Sequence, residues 1–470
     1  MHFSLPDTQE LKDEGGAPYT VYNIHINGVF HCSARYKQLR QFHEQLRKEF
    51  GPQPLPPFPP KKLLSLASHE VEERRCMLER YIQLVSQDPV MGSSATFNTF
   101  LHSAQQDSQK ETPERVSLDI YLMNGHKITV SVTSTDQTDD VLEAVASQIE
   151  IPNDLVYYFG IYLVRKEEDS MAIVRKMQDF ESPFISLRTA NKDKGINRIV
   201  LRKSYWDSSL DDELLDNKVT LNLLFVQTVN DLERGWILAT PDQLKHMKKL
   251  VSRGSKKEYL RFSRTLKYYG YIQFKPCLTD YPSPNTRVVA ASGGRELNFR
   301  VQVGDQVKEG IFKITRMRCW RITTVYPKEG ESGYTKSGSA QLELSFEYLM
   351  SKDTLRWIAI VSEQAMLMSM CLQSMVDELI MKKQGKRFKR PQDRLQQKSQ
   401  KGGKPLSPID PSGNQSPRSQ SPVETTDRVS VAVVKCSRRN NFGEKSKMNG
   451  KGENGVTEND AFEGIGDDDL

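Results

Sequence analysis

Apolar and polar positions alternate near the start of the chain and then change to a helical spacing. Tyr22, Ile24 and Ile26 recur at every second position, which is typical of a half-buried strand, and Asn27-Gly28 after them is a strong hairpin signal. Two stretches with apolar residues three or four positions apart follow. Their apolar positions are Leu39, Phe42, Leu46 and Phe50, then Val71, Leu78, Tyr81, Ile82 and Val85. The pattern predicts a small antiparallel sheet backed by helices.

A proline-rich segment, residues 55–62, lies between the two predicted helices and contains Lys61 just after its last proline. Prolines fix φ and keep a segment stiff without hydrogen bonds, so this segment can present the lysine at a set position. Arg35 and Tyr36 precede the first helix, and Arg74 lies on the second. The next apolar residues are Leu63, Leu64 and Leu66. A basic residue followed by an apolar loop is typical of a surface that binds a lipid headgroup and enters the bilayer.

This ordered set resembles the PX (phox homology) domain, whose pattern is an Arg-aromatic pair, a proline-rich loop ending in lysine, and a helical arginine. The resemblance covers residues 1–108 and implies binding of phosphatidylinositol 3-phosphate. By that likeness Arg35 takes the 3-phosphate through paired guanidinium hydrogen bonds, and Tyr36 stacks on the inositol ring. Lys61 meets the 1-phosphate, Arg74 the ring hydroxyls, and Lys37 contributes weakly. The residues alone leave two alternatives open, a surface arginine at a helix start and a proline segment that binds SH3-type partners.

The pattern restarts after a polar stretch, residues 103–113, which predicts a linker. Two alternating strands between residues 116 and 132 surround Asn124-Gly125, a type I′ turn signal. A helix comes next, with an apolar stripe formed by Val141, Leu142, Val145 and Ile149. A hairpin followed by a helix is the opening of a ubiquitin-like fold.

The second half of the chain is first helical and then strand-rich. Residues 205–270 have helical spacing, strands return from residue 271, and a last helix is predicted over residues 363–383. This order resembles a FERM domain, with a ubiquitin-like lobe at 114–204, a helical lobe at 205–270 and a phosphotyrosine-binding-like lobe at 271–388. The predicted fold class is therefore α+β and multidomain, with a disordered tail at 389–470.

A PX domain followed by a FERM domain resembles the PX-FERM sorting nexins, and residues 200–207, 315–321, 346–353 and 461–466 are similar to members of that family. The resemblance implies a peptide groove between the strand carrying Trp320 and the helix carrying Val376 and Ile380. Its ligand would be an Asn-Pro-x-Tyr or Asn-x-x-Tyr sorting signal in a receptor tail. The alternative is that these apolar side chains are plain core.

The tail ends in an acidic segment with isolated apolar residues. Phe462, Ile465 and Leu470 are the candidate docking residues, and the resemblance implies recruitment of the retriever recycling complex. A PDZ-type grip on the carboxylate and a merely solubilising acidic end are the alternatives. The stretch Asn459-Asp460-Ala461-Phe462 also imitates the sorting signal itself. We therefore expect that the tail can occupy its own groove.

Composition excludes several other functions. A net charge of +6 over 470 residues, with abundant Asp and Glu, argues against nucleic-acid binding. The six cysteines have no paired short spacing, so neither disulfides nor a metal site is expected, and no catalytic motif or cofactor loop is present. No apolar run approaches the ~20 residues of a membrane helix. We expect a non-enzymatic, monomeric cargo adaptor without cofactor, cytoplasmic and peripheral on early endosomes, which promotes receptor recycling. One alternative is a FERM signalling scaffold that binds small GTPases through the ubiquitin-like lobe. The other is a lipid-dependent enzyme, which would need catalytic residues that the sequence does not display.

Overall fold

The computed structural model describes residues 1–62, 66–167, 171–192, 195–325 and 341–393, and the backbone of 456–458. Met1–Arg394 and Asn454–Leu470 form one compact unit, and Leu395–Glu453 form a second. The second unit lies outside the described residues. The elements given below therefore all belong to the first unit.

The first module is a small antiparallel sheet covered by helices. Its elements are β1 (Phe3–Ser4), β2 (Thr8–Lys12), β3 (Pro18–Ile26), β4 (Val29–Arg35), α1 (Tyr36–Phe50), α2 (Ser68–Gln87) and α3 (Ala95–Gln109). Strand β3 pairs with β1, β2 and β4. The predicted hairpin is confirmed, because Asn27 and Gly28 have φ values of 51° and 78° in the turn between β3 and β4. The predicted helices are confirmed as α1 and α2.

The linker predicted from residue 103 is wrong over its first half, because α3 continues to Gln109. Phe97, Leu101 and Ala104 give this helix a buried face, and the polar residues after them continue it. Gln105 is buried as well, where its Oε1 accepts a hydrogen bond from the Ser182 N–H at 2.8 Å. A polar run predicts a linker, but here tertiary hydrogen bonds of its side chains accompany a continued helix.

The second module has the strand order β6-β5-β9-β7-β8, with β5 and β9 parallel. Its elements are β5 (Arg115–Tyr121), β6 (Lys127–Thr133), α4 (Thr138–Gln148), β7 (Phe159–Lys166), β8 (Met171–Lys176), α5 (Pro183–Lys192) and β9 (Asn197–Lys203). The predicted type I′ turn is wrong. Gly125 has a positive φ of 80° but Asn124 does not, and residues 122–126 form a longer loop closed by a hydrogen bond from the Leu122 N–H to the His126 carbonyl at 2.8 Å.

A helical lobe follows, made of α6 (Asp211–Leu214), α7 (Lys218–Glu233), α8 (Pro241–Ser252) and α9 (Lys256–Ser263). Asn217 caps α7, because its side chain accepts hydrogen bonds from the N–H groups of Val219 and Thr220. The Thr240 hydroxyl accepts from the Gln243 N–H and caps α8 in the same way. Leu223 and Leu224 of α7 and Leu260 of α9 are buried in one core with the second module.

The last lobe is a sheet covered by one long helix. Its elements are β10 (Ile272–Gln273), β11 (Cys277–Thr279), β12 (Thr286–Gly293), β13 (Glu296–Val303), β14 (Gln306–Lys313), β15 (Met317–Val325), β16 (Gln341–Ser351), β17 (Thr354–Val361) and α10 (Ala365–Lys383). The strand order is β14-β13-β12-β11-β17-β16-β15, and β10 also pairs with β12. The α+β multidomain fold class is confirmed.

A short strand from the tail completes this sheet. Strand β18 (Val456–Glu458) adds antiparallel to β15 at the edge of the sheet. This strand lies within the tail that composition predicts to be disordered. Three residues are extended there because an open strand edge supplies partners for their backbone groups.

Candidate lipid and peptide sites

The structure brings Arg35 and Tyr19 together at the start of α1. Arg35 is the residue immediately before the helix, and its backbone N–H donates to Gln38 Oε1 at 2.8 Å. Its guanidinium carbon lies 3.2 Å from the centroid of the Tyr19 ring. The hydrogen bond fixes the backbone of Arg35, and the aromatic ring holds the guanidinium by a cation–π contact. Both contacts leave guanidinium N–H groups available for a ligand.

Tyr36 links the first helix to the proline-rich loop and to α2. Its hydroxyl donates to the Pro59 carbonyl at 2.8 Å, and its ring lies 5.7 Å from the Phe58 ring. The Arg74 guanidinium carbon also contacts Tyr36, at 4.3 Å from the centroid of its ring. Tyr36 and Arg74 come from two predicted sequence elements and thus meet each other beside the proline-rich loop.

Tyr22 lies near Arg74 and Tyr36, and the charge of Arg74 affects the pKa of its hydroxyl. Burial raises the pKa of the Tyr22 hydroxyl, and the nearby charge and hydrogen bond of Arg74 oppose that rise. Arg74 is therefore a neighbour of the Tyr22 hydroxyl as well as of the Tyr36 ring. An anion at this place would meet a cation already fixed by its ring and hydroxyl contacts.

Lys37 and Lys61 are exposed; the first follows Tyr36 in α1, and the second follows Pro59 by two residues. Their side chains form no ion pair with the carboxylates of the described residues, whereas neighbouring Lys62 pairs with Glu70 at 2.6 Å. Leu66 is half-buried, and Leu63 and Leu64 lie outside the described residues. The assignment of these leucines to membrane insertion stays a prediction.

The predicted groove strand is β15, and its outer edge is where β18 pairs. Cys319 lies opposite Glu458, Trp320 opposite Thr457 and Arg321 opposite Val456. On its other side β15 pairs with β16, with an irregularity between Met317 and Cys319. The sheet therefore ends at β15 apart from the three tail residues. An extended peptide can add to such an edge through backbone hydrogen bonds.

The side chains predicted to line the groove are mostly buried. Trp320 is 0% exposed and Val376 is 1% exposed, and both belong to the core of the last lobe. The Trp320 Nε1–H donates to Ser369 Oγ on α10 at 2.9 Å. Ile380, one turn after Val376, is half-buried at the border of that core. Trp320 thus contributes its backbone to the edge, while its indole fixes β15 against α10.

Some residues of this region were missed by sequence reasoning. Ser369 accepts the indole hydrogen bond, and no spacing or motif marks it among the methionines and leucines of α10. Arg321 lies beside the same edge, with its guanidinium 4.7 Å from the centroid of the Trp357 ring. Arg321 and Trp357 come together only because β15 and β17 both pair with β16. The docking residues Phe462, Ile465 and Leu470 lie outside the described residues.

Comparison with known proteins accounts for the order of these modules. A PX domain profile matches residues 22–104, and the F1 lobe of the sorting nexin 17/27/31 FERM domain matches 116–206. The F2 lobe of the sorting nexin 17/31 FERM domain matches 207–267, and the sorting nexin 17 FERM C-terminal domain matches 270–380. Sorting nexin-17 of Homo sapiens is 48% identical over 482 residues, covering 100% of both chains. The chain belongs to the PX-FERM sorting nexins.

Other relatives agree with this family. Sorting nexin-17 of Danio rerio is 47% identical and covers 100% of both chains. Sorting nexin-31 of Homo sapiens is 34% identical over 385 residues, which are 81% of this chain and 86% of that one. The PX domain followed by three FERM lobes is thereby confirmed.

The family defines the general role of this sorting nexin. It is a protein-transport adaptor family, whose PX domain implies phosphoinositide binding and whose FERM domain implies binding of receptor tails. The PX domain also implies peripheral association with membranes. Among the described residues, no helix combines the length and apolar character needed to cross a bilayer.

Proposed function

We propose that this sorting nexin is an endosomal cargo adaptor. It binds phosphatidylinositol 3-phosphate through the PX domain and Asn-Pro-x-Tyr or Asn-x-x-Tyr sorting signals through the last FERM lobe. It thereby directs receptors to recycling and away from lysosomal degradation. The observation that carries this proposal is the edge of β15, which accepts a strand of the chain's own tail. Because this strand edge pairs with one extended peptide segment, it can also pair with an extended sorting signal of similar sequence.

The lipid half of the proposal is supported by the contacts of Arg35 and Arg74 and by the exposure of Lys61. Arg35 is fixed by its Gln38 and Tyr19 contacts, so it loses little conformational freedom when it donates two hydrogen bonds to a phosphate. Arg74 and Tyr36 then border the inositol ring, with exposed Lys61 at the 1-phosphate. A phosphate dianion bound here would meet the positive charges of Arg35, Arg74 and Lys61. Among the described residues, none of these three side chains forms an ion pair with a carboxylate that would compete with the phosphate.

The peptide half of the proposal is supported by the wall that α10 forms beside β15. Backbone pairing with residues 319–321 would supply affinity that does not depend on sequence. Ile380 is the half-buried apolar residue of the predicted set, so it is the side chain best placed to contact a ligand residue. Trp320 and Val376 would act by shaping the groove from within the core.

The tail would compete with cargo for this edge. Strand β18 immediately precedes Asn459-Asp460-Ala461-Phe462, the stretch that imitates the sorting signal. Cargo binding would release the tail, whose acidic end would then be free for a partner such as the retriever complex. Because lipid and receptor tail both lie at the membrane, weak contacts to each would multiply through effective concentration.

The test is cosedimentation of the full chain with liposomes that carry phosphatidylinositol 3-phosphate, with and without a lipid-anchored Asn-Pro-x-Tyr peptide. Arg35→Ala should lower lipid binding by about tenfold or more, since charged hydrogen bonds are worth about 1.5–3 kcal/mol. Arg47→Ala is the matched control, because this α1 arginine is exposed and pairs only loosely, at 3.8 Å from Glu44. The peptide should raise binding in wild type and in Val251→Asp, a change at an exposed residue, but not in Ile380→Asp.

Binding that ignores both the lipid type and the peptide would contradict the proposal. GTP-dependent binding of a small GTPase to residues 114–204, in place of peptide binding, would favour the signalling scaffold instead.

A further inference from the structure

The N-terminal residues of the PX domain contact the helix that borders the peptide edge. His2 Nε2 lies 2.6 Å from Ser369 Oγ on α10, a hydrogen-bond distance across two domains. The hairpin between β3 and β4 holds His2 in place, because the His2 N–H donates to Asn27 Oδ1 at 3.0 Å and the Asn27 N–H donates to the His2 carbonyl at 2.8 Å. His2 is thus fixed by the backbone on one side and points to α10 on the other.

The tip of the same hairpin also approaches α10. A Cβ added at Gly28 would lie 3.4 Å from Met366 Cγ, on the first turn of that helix. Gly28 has a positive φ of 78°, so glycine suits both the turn and this approach. The PX hairpin therefore packs beside α10 one turn before Ser369.

Ser369 joins this contact to the peptide edge. Its hydroxyl oxygen accepts from Trp320 Nε1–H at 2.9 Å and is also the partner of His2. A hydroxyl has one proton and two lone pairs, so it can serve both groups at once. Burial lowers the pKa of the His2 imidazole to about 3, which leaves the ring neutral near pH 7 and able to accept the Ser369 proton. Ser369 is 1% exposed, so water has little access to its hydroxyl and cannot readily replace either partner.

The FERM lobes hold α10 from a different direction. Both carboxylate oxygens of Glu378 accept backbone N–H groups, from Trp206 and Asp207, at 2.7 Å each. Ser374 Oγ accepts from the Trp206 Nε1–H at 3.0 Å. The helix is thus tied at its C-terminal half to the segment after β9, while its N-terminal half is tied to the PX domain through Ser369.

We propose that His2 is a positioning residue for the peptide edge, acting on Trp320 through Ser369. The inference rests on the proposed peptide binding for its functional readout, but the His2-Ser369-Trp320 contact can be tested without it. When His2 is removed, Ser369 loses one of its two partners and the rotation of its hydroxyl is no longer fixed. Trp320 then holds β15 less firmly against α10, and a peptide must order that edge when it binds.

The experiment uses the full chain with ¹⁵N-labelled tryptophan, comparing wild type with His2→Ala, His2→Gln and His126→Ala. His126 is an exposed histidine in a turn and serves as the matched control. The indole N–H resonance of Trp320 is assigned by its loss in Trp320→Phe. Affinity for a soluble Asn-Pro-x-Tyr peptide is measured by fluorescence anisotropy, and lipid binding by cosedimentation.

In His2→Ala we expect the Trp320 indole resonance to shift and the peptide to bind about three- to tenfold more weakly, with lipid binding changed less than twofold. His2→Gln, whose amide oxygen can accept the Ser369 proton in place of Nε2, should recover part of the affinity, and His126→Ala should match wild type. Ser369→Ala removes the shared oxygen, so the effect of His2→Ala should disappear in that background.

Two results would overturn the inference. One is an unchanged Trp320 resonance and peptide affinity in folded His2→Ala. The other is a lower melting temperature with no change at Trp320, which would make the contact purely structural. If wild type binds no peptide at all, the proposed function fails, while the Trp320 resonance still decides whether His2 acts on the edge strand.

Discussion

Thr457→Pro should expose the peptide edge by removing the tail strand. Thr457 is the middle residue of β18 and lies opposite Trp320. Proline has no N–H to donate and fits poorly into a paired strand, so the substitution should prevent pairing of all three residues. It changes nothing in β15 or α10, which are the parts that would bind cargo.

The expected size of the effect follows from the tether. About 60 residues separate Asp393 from β18, and a flexible chain of that length has a root-mean-square end-to-end distance of about 40–45 Å. Such a tether gives an effective concentration on the order of 1 mM. If the free tail segment binds its groove with a Kd of about 100 µM, the closed form outnumbers the open form about tenfold.

Loss of the strand should reverse this balance. Net backbone hydrogen bonds are worth about 1 kcal/mol each, so losing three residues of pairing removes about 3 kcal/mol, or a factor of about 100. The closed fraction then becomes minor, and the affinity for cargo should rise by about tenfold.

Fluorescence anisotropy with a labelled Asn-Pro-x-Tyr peptide measures this change on the full chain. Truncation before Asn454 gives the fully open reference, and Thr426→Pro is the matched control, because it places the same substitution in the tail but outside the strand. The reasoning is refuted if truncation and Thr457→Pro both leave the affinity within twofold of wild type. A rise in the truncated chain alone would mean that residues after the strand, and not the strand, hold the groove.

Two further predictions concern stability. Burial tends to raise the pKa of Glu181, but the Arg175 guanidinium and hydrogen bonds outweigh burial and hold the pKa below its usual value. The stabilisation of the folded state by ionised Glu181 is therefore present above about pH 4.3 and is lost as the pH falls through the lowered pKa. Glu181→Gln should therefore lose about 3–5 kcal/mol near pH 7, measured by thermal unfolding across pH, whereas Glu44→Gln at an exposed pair should change stability by less than about 1 kcal/mol. Gln105→Ala should cost about 1–3 kcal/mol, because it leaves the buried Ser182 N–H without its acceptor, and proteolysis after α3 should become faster; unchanged cleavage would contradict this role.

Local patterns in the sequence were sufficient for much of the fold. The alternation through Tyr22, Ile24 and Ile26, the left-handed turn at Asn27-Gly28 and the helical spacing after it all depend on neighbours within a few residues. The helix predicted over 363–383 is α10 for the same reason. Two local predictions were wrong. The linker from residue 103 is partly helix because distant contacts outweigh the local preference, and the turn at Asn124 belongs to a longer loop with its own geometry.

The candidate sites divide in a similar way. Residue types and their order marked Arg35, Tyr36 and Arg74, because a phosphate site needs cations and a stiff loop wherever the chain folds. The peptide edge was marked by family likeness, and its side chains could not be divided between groove and core from sequence. Burial of Trp320 and Val376 is a property of how α10 packs on β15, which no local spacing encodes.

The contact of His2 with Ser369 joins residues that are 367 positions apart, and β18 meets β15 across more than a hundred residues of chain. The sequence by itself determined which modules form, in what order, and which residues could bind a phosphate. Only the tertiary structure decided which strand edge stays open, what pairs with it, and which distant side chains hold it, because these depend on how the completed modules pack together.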